Sequence, residues 1–195
     1  MQATVSVESE VVRSPRVMQV EGIFDVPPSQ RIAHRWDVEL PIEDKSWNVG
    51  LIVGPSGSGK STVARHLFGT QLEIFERLRR DWHDARSLLD SFPGPMGVKD
   101  IVELLSSVGF SSPPSWVKPF RVLSNGEQFR VLMARLLAET SLSGETAAVD
   151  EFTSVVDRTV AKIGSCAIAK TVRRRNQRFV AVTCHEDVEQ WLQPD

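Results

Sequence analysis

Val49-Gly50-Leu51-Ile52-Val53-Gly54-Pro55-Ser56-Gly57-Ser58-Gly59-Lys60-Ser61-Thr62 is the stretch of this 195-residue chain that decides its fold. A short apolar run enters a glycine-rich turn that matches the pattern G-x-x-x-x-G-K-S/T, and the segment from Ser61 to Phe68 is helix-capable. Strand, turn and helix in that order make a phosphate cradle. Gly54, Gly57 and Gly59 let the backbone turn tightly, so that successive N–H groups and a helix N-terminus point at the phosphates. Lys60 adds a point charge for the β- and γ-phosphates, and the Ser61 hydroxyl is placed to ligate Mg²⁺. The whole loop from Gly54 to Thr62 is therefore the expected nucleotide site.

The length suits one domain with a substantial core. With 41% hydrophobic and 25% charged residues the composition is that of an ordinary globular protein. A net charge of -2 gives no global case for nucleic acid or an anionic membrane as partner. Cys166 and Cys184 lie far apart without ligand spacing, so they read as small buried residues of a reducing compartment. No apolar run of membrane-spanning length and no signal-peptide pattern appear, and a cytoplasmic location is expected.

Upstream of the cradle, Thr4 to Val12 and Val17 to Phe24 read as strands, the second stopped by Pro27-Pro28. Arg31 to Leu40 alternates clearly, with Ile32, His34, Trp36, Val38 and Leu40 on one side. Residues 1–48 are thus expected to form an antiparallel β layer with one wet face, in which His34 merely packs. Downstream, Gln71 to Leu89 is helix-prone, Ala85 to Phe92 is a candidate short strand, and Val98 to Val108 has helical spacing up to Gly109. Residues 71–143 read as a small helical insertion, and 49–70 with 144–195 as the α/β core.

Inside that insertion, Leu123-Ser124-Asn125-Gly126-Glu127-Gln128 opens a helix that Ser124 can cap. Thr146-Ala147-Ala148-Val149-Asp150-Glu151 is a small-apolar run ending in two carboxylates, as expected for a buried parallel strand that releases its charges at the carboxyl edge of the sheet. Neighbouring strand residues point to opposite sides, so the two acids take different tasks: one faces the Mg²⁺ shell beside Ser61, the other polarises a water in line with the γ-phosphate.

In their order, these motifs resemble those of the ATP-binding cassette (ABC) ATPase family across nearly the whole chain. The 54–62 loop is similar to the family's P-loop, and Leu123 to Gln128 resembles the signature L-S-G-G-Q. Val149-Asp150-Glu151-Phe152-Thr153-Ser154-Val155-Val156-Asp157 resembles the acidic strand and D-loop, and Arg178 to His185 the strand ending in the switch histidine. The resemblance implies that Lys60 and Ser61 hold phosphates and Mg²⁺, that Asp150 supports Mg²⁺ through water, and that Glu151 is the general base. It also implies that His185 contacts the γ-phosphate and that Asp157 lies at a dimer interface. Ser124 and Gly126, with Asn125 and Glu127 beside them, would meet the ATP of a second subunit in a head-to-tail homodimer.

Three departures stand out: Asn125 replaces a signature glycine, Phe152 replaces a proline, and Asp90 stands at the position of the family's metal-sensing glutamine. The chain has no tyrosine, and Phe24 is the candidate adenine platform. The pattern looks closest to soluble ABC ATPases often joined to an acetyltransferase-like domain. The basic run Lys170 to Arg178 is a candidate nucleic-acid contact, against a solvated helix face. The expected function is ATP binding and hydrolysis by a soluble motor or switch with a protein or nucleic-acid partner. The alternatives are a transporter's nucleotide-binding subunit and a non-hydrolysing, ATP-gated dimerisation module.

Overall fold

A computed structural model describes residues 2–40, 42, 46–82 and 86–195. It divides the chain into two compact units, Met1–Lys45 and Ser46–Asp195.

The first unit pairs β1 (Gln2–Glu10) antiparallel with β2 (Arg31–Glu39), from Gln2 opposite Glu39 to Glu10 opposite Arg31. Between them, the expected strand from Val17 to Phe24 is a helix, α1 (Pro15–Ile23). Ser14 caps it through a bond from the Val17 N–H, and Pro15 presets the first helical φ. That local start signature overrides the β-prone composition of Val17, Val20 and Ile23. The expected single wet face is not found either, because β2 is exposed along most of its length and α1 buries no residue. His34 is exposed and stacks on Trp36 at 6.0 Å between ring centroids.

In the second unit, β3 (Val49–Val53), β4 (Ala147–Val149) and β5 (Phe179–Thr183) form a parallel sheet in the order β3-β5-β4. Every residue of β4 and β5 is buried, as parallel strands covered on both faces require. The helices are α2 (Lys60–Arg80), α3 (Val98–Ser107), the single turn α4 (Pro113–Trp116), α5 (Asn125–Ser143), α6 (Arg158–Arg174) and α7 (Asp187–Leu192). The helical stretch foreseen from Ser61 to Phe68 and the first part of that foreseen from Gln71 to Leu89 are one element, α2, which has a non-helical residue at Phe68, φ -132°, and ends at Arg80, short of Leu89. Leu88–Ser91 is a 3-10 turn where a strand was expected, closed by the Phe92 N–H on the Leu89 carbonyl; Ala85, the first residue of that expected strand, lies outside the described residues. A single turn with Pro93 just beyond it leaves no length for a ladder.

α2 and α5 pack on β4, and α6 packs on β3 and α7. At Gly164 of α6 the helix lies close against α5: a Cβ there would stand 2.8 Å from the Phe129 ring. Gly109 ends α3 at φ +86°, a left-handed position that glycine fills without strain. Arg135 of α5 is 5% exposed and ties α5 to the end of α2 by donating to the Asp81 carbonyl at 2.6 Å and carboxylate at 3.0 Å, while lying over the Trp82 ring.

Beside β3, the Asp195 carboxylate accepts the N–H groups of Asn48 at 2.7 Å and Val49 at 2.9 Å. Its own N–H donates to the Val49 carbonyl, and Arg173 pairs with its side chain. Burial would raise the Asp195 carboxyl, but the two backbone donors and then Arg173 outweigh it and hold the group below the ordinary carboxylate value. A carboxyl depressed in the fold stabilises above its unfolded pKa, and that contribution goes as pH falls through the folded one. Asp195→Ala should therefore cost about 1 kcal/mol near neutral pH. Denaturant melts from neutral pH downwards should show the gap between wild type and variant closing below about pH 4.

Candidate functional site

The second unit carries its chemistry at one edge of the sheet. Residues 54–62 follow the carboxyl end of β3, Asp150 and Glu151 that of β4, and Cys184 and His185 that of β5. The strands are parallel, so all three segments emerge on the same edge, and β5 lies between the other two.

The phosphate loop has the conformation its glycines foretell. Gly57 and Gly59 have φ of +79° and +89°. α2 starts directly after Gly59 with no side-chain cap, so its first N–H groups point out of the helix end without a side-chain acceptor. The Lys60 ammonium donates to the Pro55 carbonyl at 2.7 Å and so lies folded along the loop. A Cβ on Gly54 would come within 3.3 Å of the Ser58 hydroxyl. Ser61 is in the first turn of α2 and half-buried.

The acid segment departs from the strand expected over residues 146–151. β4 ends at Val149, and Asp150 and Glu151 stand in a turn, with Glu151 at φ +52° and Thr153 at φ +67°. The Asp150 carboxylate accepts the Glu151 N–H at 2.8 Å. The chain is recaptured at Phe152, whose N–H donates to the Val182 carbonyl of β5 at 2.8 Å. Phe152 is fully buried, its ring 5.6 Å from Phe129 and 5.5 Å from Phe179. The two acids are thus held off the ladder by turn geometry, where the sequence reading had them alternate along a strand. A cavity of about 640 Å³ lies beside them, reached also by Arg65, Arg79, Asn125 and Thr153. The Thr153 hydroxyl is buried and has no hydrogen-bond partner.

At the start of α5, Ser124 and Glu127 form a reciprocal capping box: the Ser124 N–H donates to the Glu127 carboxylate at 2.9 Å, and the Glu127 N–H to the Ser124 hydroxyl. The Ser124 N–H holds the Glu127 carboxyl below its usual range, with the Ser124 and Ser115 hydroxyls acting against desolvation. The Gln128 amide closes the preceding turn by donating to the Leu123 and Phe120 carbonyls. A Cβ on Gly126 would meet the Val160 methyls at 3.2 Å, so the beginnings of α5 and α6 touch there. Asp157 caps α6, accepting from the N–H groups of Thr159 and Val160. His185 is half-buried, and its N–H donates to the Thr183 hydroxyl at 3.2 Å.

Other candidates fall elsewhere. Asp90 is exposed in the 3-10 turn, its carboxylate taken by the Ser87 hydroxyl at 2.8 Å. Among the described residues no three His, Cys, Asp or Glu side chains converge as a metal site. What the edge does offer is the Ser61 hydroxyl and the Asp150 carboxylate, hard oxygen donors of the kind Mg²⁺ takes alongside phosphate oxygens. Phe24, expected near a strand end, is the C-terminal cap of α1 and 70% exposed. The cysteines are not both buried, since Cys184 is exposed and Cys166 half-buried. The basic run is largely engaged within its own unit: Arg173 with the carbonyls of Leu192 and Gln193, Arg174 and Arg175 with Glu103, and Arg178 over the Trp47 ring. Nothing in the comparisons with known proteins supports a nucleic-acid contact there. Sequence reading missed Thr183, Arg65 and Arg79, and only the strand-end position of Thr183 marks it in the sequence.

No family model matches the chain. It is 28% identical over 214 residues to the energy-coupling factor transporter ATP-binding protein EcfA1 of Geobacillus kaustophilus (strain HTA426), spanning 92% of this chain and 73% of that protein. Among solved structures it resembles the dimeric post-hydrolysis state of an ATP-binding cassette bound to ADP and Pi, with a TM-score of 0.62 at 18% identity over 98% of this chain and 91% of the other. A dimeric bacterial ABC transporter cassette superposes with a TM-score of 0.57 at 19% identity over 80% of this chain and 81% of the other. The fold is that of the ABC ATPase cassettes, and no helix among the described residues is long and apolar enough to cross a membrane.

Truncating the aromatic anchor under the acid turn should be costly. Phe152→Ala is expected to lower unfolding stability by about 3 to 5 kcal/mol, measured by urea titration. A loss below about 1 kcal/mol would show that the ring does not hold the turn.

Proposed function

We propose that this chain, an ATPase of the ABC type by its fold and motif order, hydrolyses ATP as a homodimer that closes on two nucleotides. The observation that carries the reading is the parallel sheet edge: it delivers the phosphate loop, the two acids and His185 from three adjacent strands. Phosphoryl transfer needs little covalent chemistry from the protein, and such an edge supplies positioning and charge.

In this reading the uncapped start of α2 and the Lys60 ammonium bind the phosphates, and Lys60 exchanges its Pro55 carbonyl for them. Ser61, with Asp150 through water, would hold Mg²⁺, which when bound neutralises charge developing on the phosphates. Glu151 accepts a proton from the attacking water. His185 contacts the γ-phosphate. Ser124, Asn125, Gly126 and Glu127 face the partner subunit's nucleotide, with Asp157 beside the interface. Asp90 stands outside the proposed ligand set. Residues 1–195 are read as one cassette, with 71–143 as its helical part.

The EcfA1 relative favours a second reading, in which the chain supplies ATP turnover to a transporter whose membrane passage is built by other chains. Nothing in the fold or the comparisons supports a joined acetyltransferase-like domain.

Phosphate release by the purified chain tests the reaction. Glu151→Gln should slow hydrolysis by roughly 10² to 10⁴-fold while ATP still binds, equivalent to about 3 to 5.5 kcal/mol in barrier height. The same variant in saturating Mg-ATP should sediment as a dimer, and a monomer there would sink the two-nucleotide arrangement. Lys60→Ala should lose ATP binding by calorimetry, and normal affinity in that variant would contradict the cradle.

A further inference from the structure

The centre of the edge is a single buried hydroxyl. Thr183 is the last residue of β5, 2% exposed, and in register with Val53, the last strand residue before the phosphate loop. Its Oγ1 donates to the Phe152 carbonyl at 3.0 Å and accepts the His185 N–H at 3.2 Å. One short side chain therefore touches the turn that carries Glu151 and the turn that carries His185, from the strand that neighbours the phosphate loop.

The arrangement uses the hydroxyl fully as donor and singly as acceptor, which fixes its rotamer. On the acid side, the Phe152 peptide is clamped at both ends: its N–H goes to the Val182 carbonyl and its carbonyl to Thr183. The residues on either side of that peptide, Glu151 and Thr153, both have positive φ without being glycine. Such conformations persist only where the surroundings over-determine them. The Thr183 bond is one of the restraints that do so.

We propose that Thr183 is a positioning residue that sets the place of Glu151 relative to His185 through this shared hydroxyl. The inference rests on the ATPase reading for its catalytic consequence, and on geometry alone for the coupling. Thr183 touches no reacting atom. It acts by keeping two turns from moving independently, and a misplacement of about 1 Å of a catalytic group can cost on the order of a hundredfold in rate.

Thr183→Val keeps the shape and removes both bonds, whereas Thr183→Ser keeps them. In Thr183→Val, kcat should fall about tenfold to a hundredfold, with KM for ATP changed less than about threefold because the lost restraint does not bind ground-state nucleotide. Thr183→Ser should restore most of the rate. Placed in the Glu151→Gln background, Thr183→Val should cost little more, since a residue acting through Glu151 is silent once that base is gone. Equal losses in both backgrounds, or an unchanged kcat in Thr183→Val, overturn the proposal.

Amide hydrogen exchange reads the coupling without turnover. Exchange at Phe152 and at His185 should rise together in Thr183→Val and stay at wild-type rates in Thr183→Ser. A rise at only one of the two, or at neither, overturns the coupling. A wild-type chain that releases no phosphate sinks the ATPase reading and leaves the exchange result to decide this one.

Discussion

Everything at the sheet edge depends on how the chain leaves β4 and returns. A parallel strand buried on both faces cannot end in two ionised carboxylates inside the core, because an unpaired buried charge is too costly to keep. The chain solves this by stopping the ladder at Val149 and giving Asp150 and Glu151 to a turn. Phe152 then re-enters the core, its N–H on Val182 and its ring among Phe129 and Phe179. The aromatic burial at 152 is what lets the acids stand out while the backbone beneath them stays fixed. A proline at that position would supply no N–H for Val182, so this chain holds its acid turn by a hydrogen bond and a ring.

Much of this was legible in residue order. The strand-turn-helix of 49–68 could be read because glycine spacing and an apolar run state both the backbone and its use, and the structure repeats them at Gly57 and Gly59. The capping box of Ser124 with Glu127 is equally local, an oxygen three residues from the N–H it satisfies. What could not be read was non-local or a contest between local signals. The strand foreseen at Val17 lost to the Ser14-Pro15 helix start. The acids appeared as strand residues because nothing in Val149-Asp150-Glu151 announces a positive φ at a glutamate; only the recapture of Phe152 by β5, thirty residues on, imposes it. Thr183 looked like any β-branched strand residue until its hydroxyl was seen to have two partners.

A division of labour among helix starts follows from the same chemistry. α5 and α6 are closed by Ser124 with Glu127 and by Asp157, whose oxygens occupy N–H groups that would otherwise seek an acceptor. α2 alone among the three long helices of the second unit begins behind a left-handed glycine without a side-chain cap. Its free N–H groups fit an acceptor that arrives from outside, and the Lys60 ammonium resting on the Pro55 carbonyl adds a charge ready to move to it. The capped helices carry the proposed cross-subunit contacts, where a fixed presentation matters more than a vacant donor.

These restraints converge on β5. Its neighbours carry the phosphate loop and the acids, and its own end carries His185, so the middle strand pairs with both of the others. A displacement of β5 along its axis would shift Phe152, the acid turn and the histidine together, because the Val182 carbonyl and the Thr183 hydroxyl bind them to it. The same strand is buried along its whole length, and the Asp195 clamp bears on the start of its neighbour β3. The place of this edge is thus set by the core, through a strand with no exposed residue.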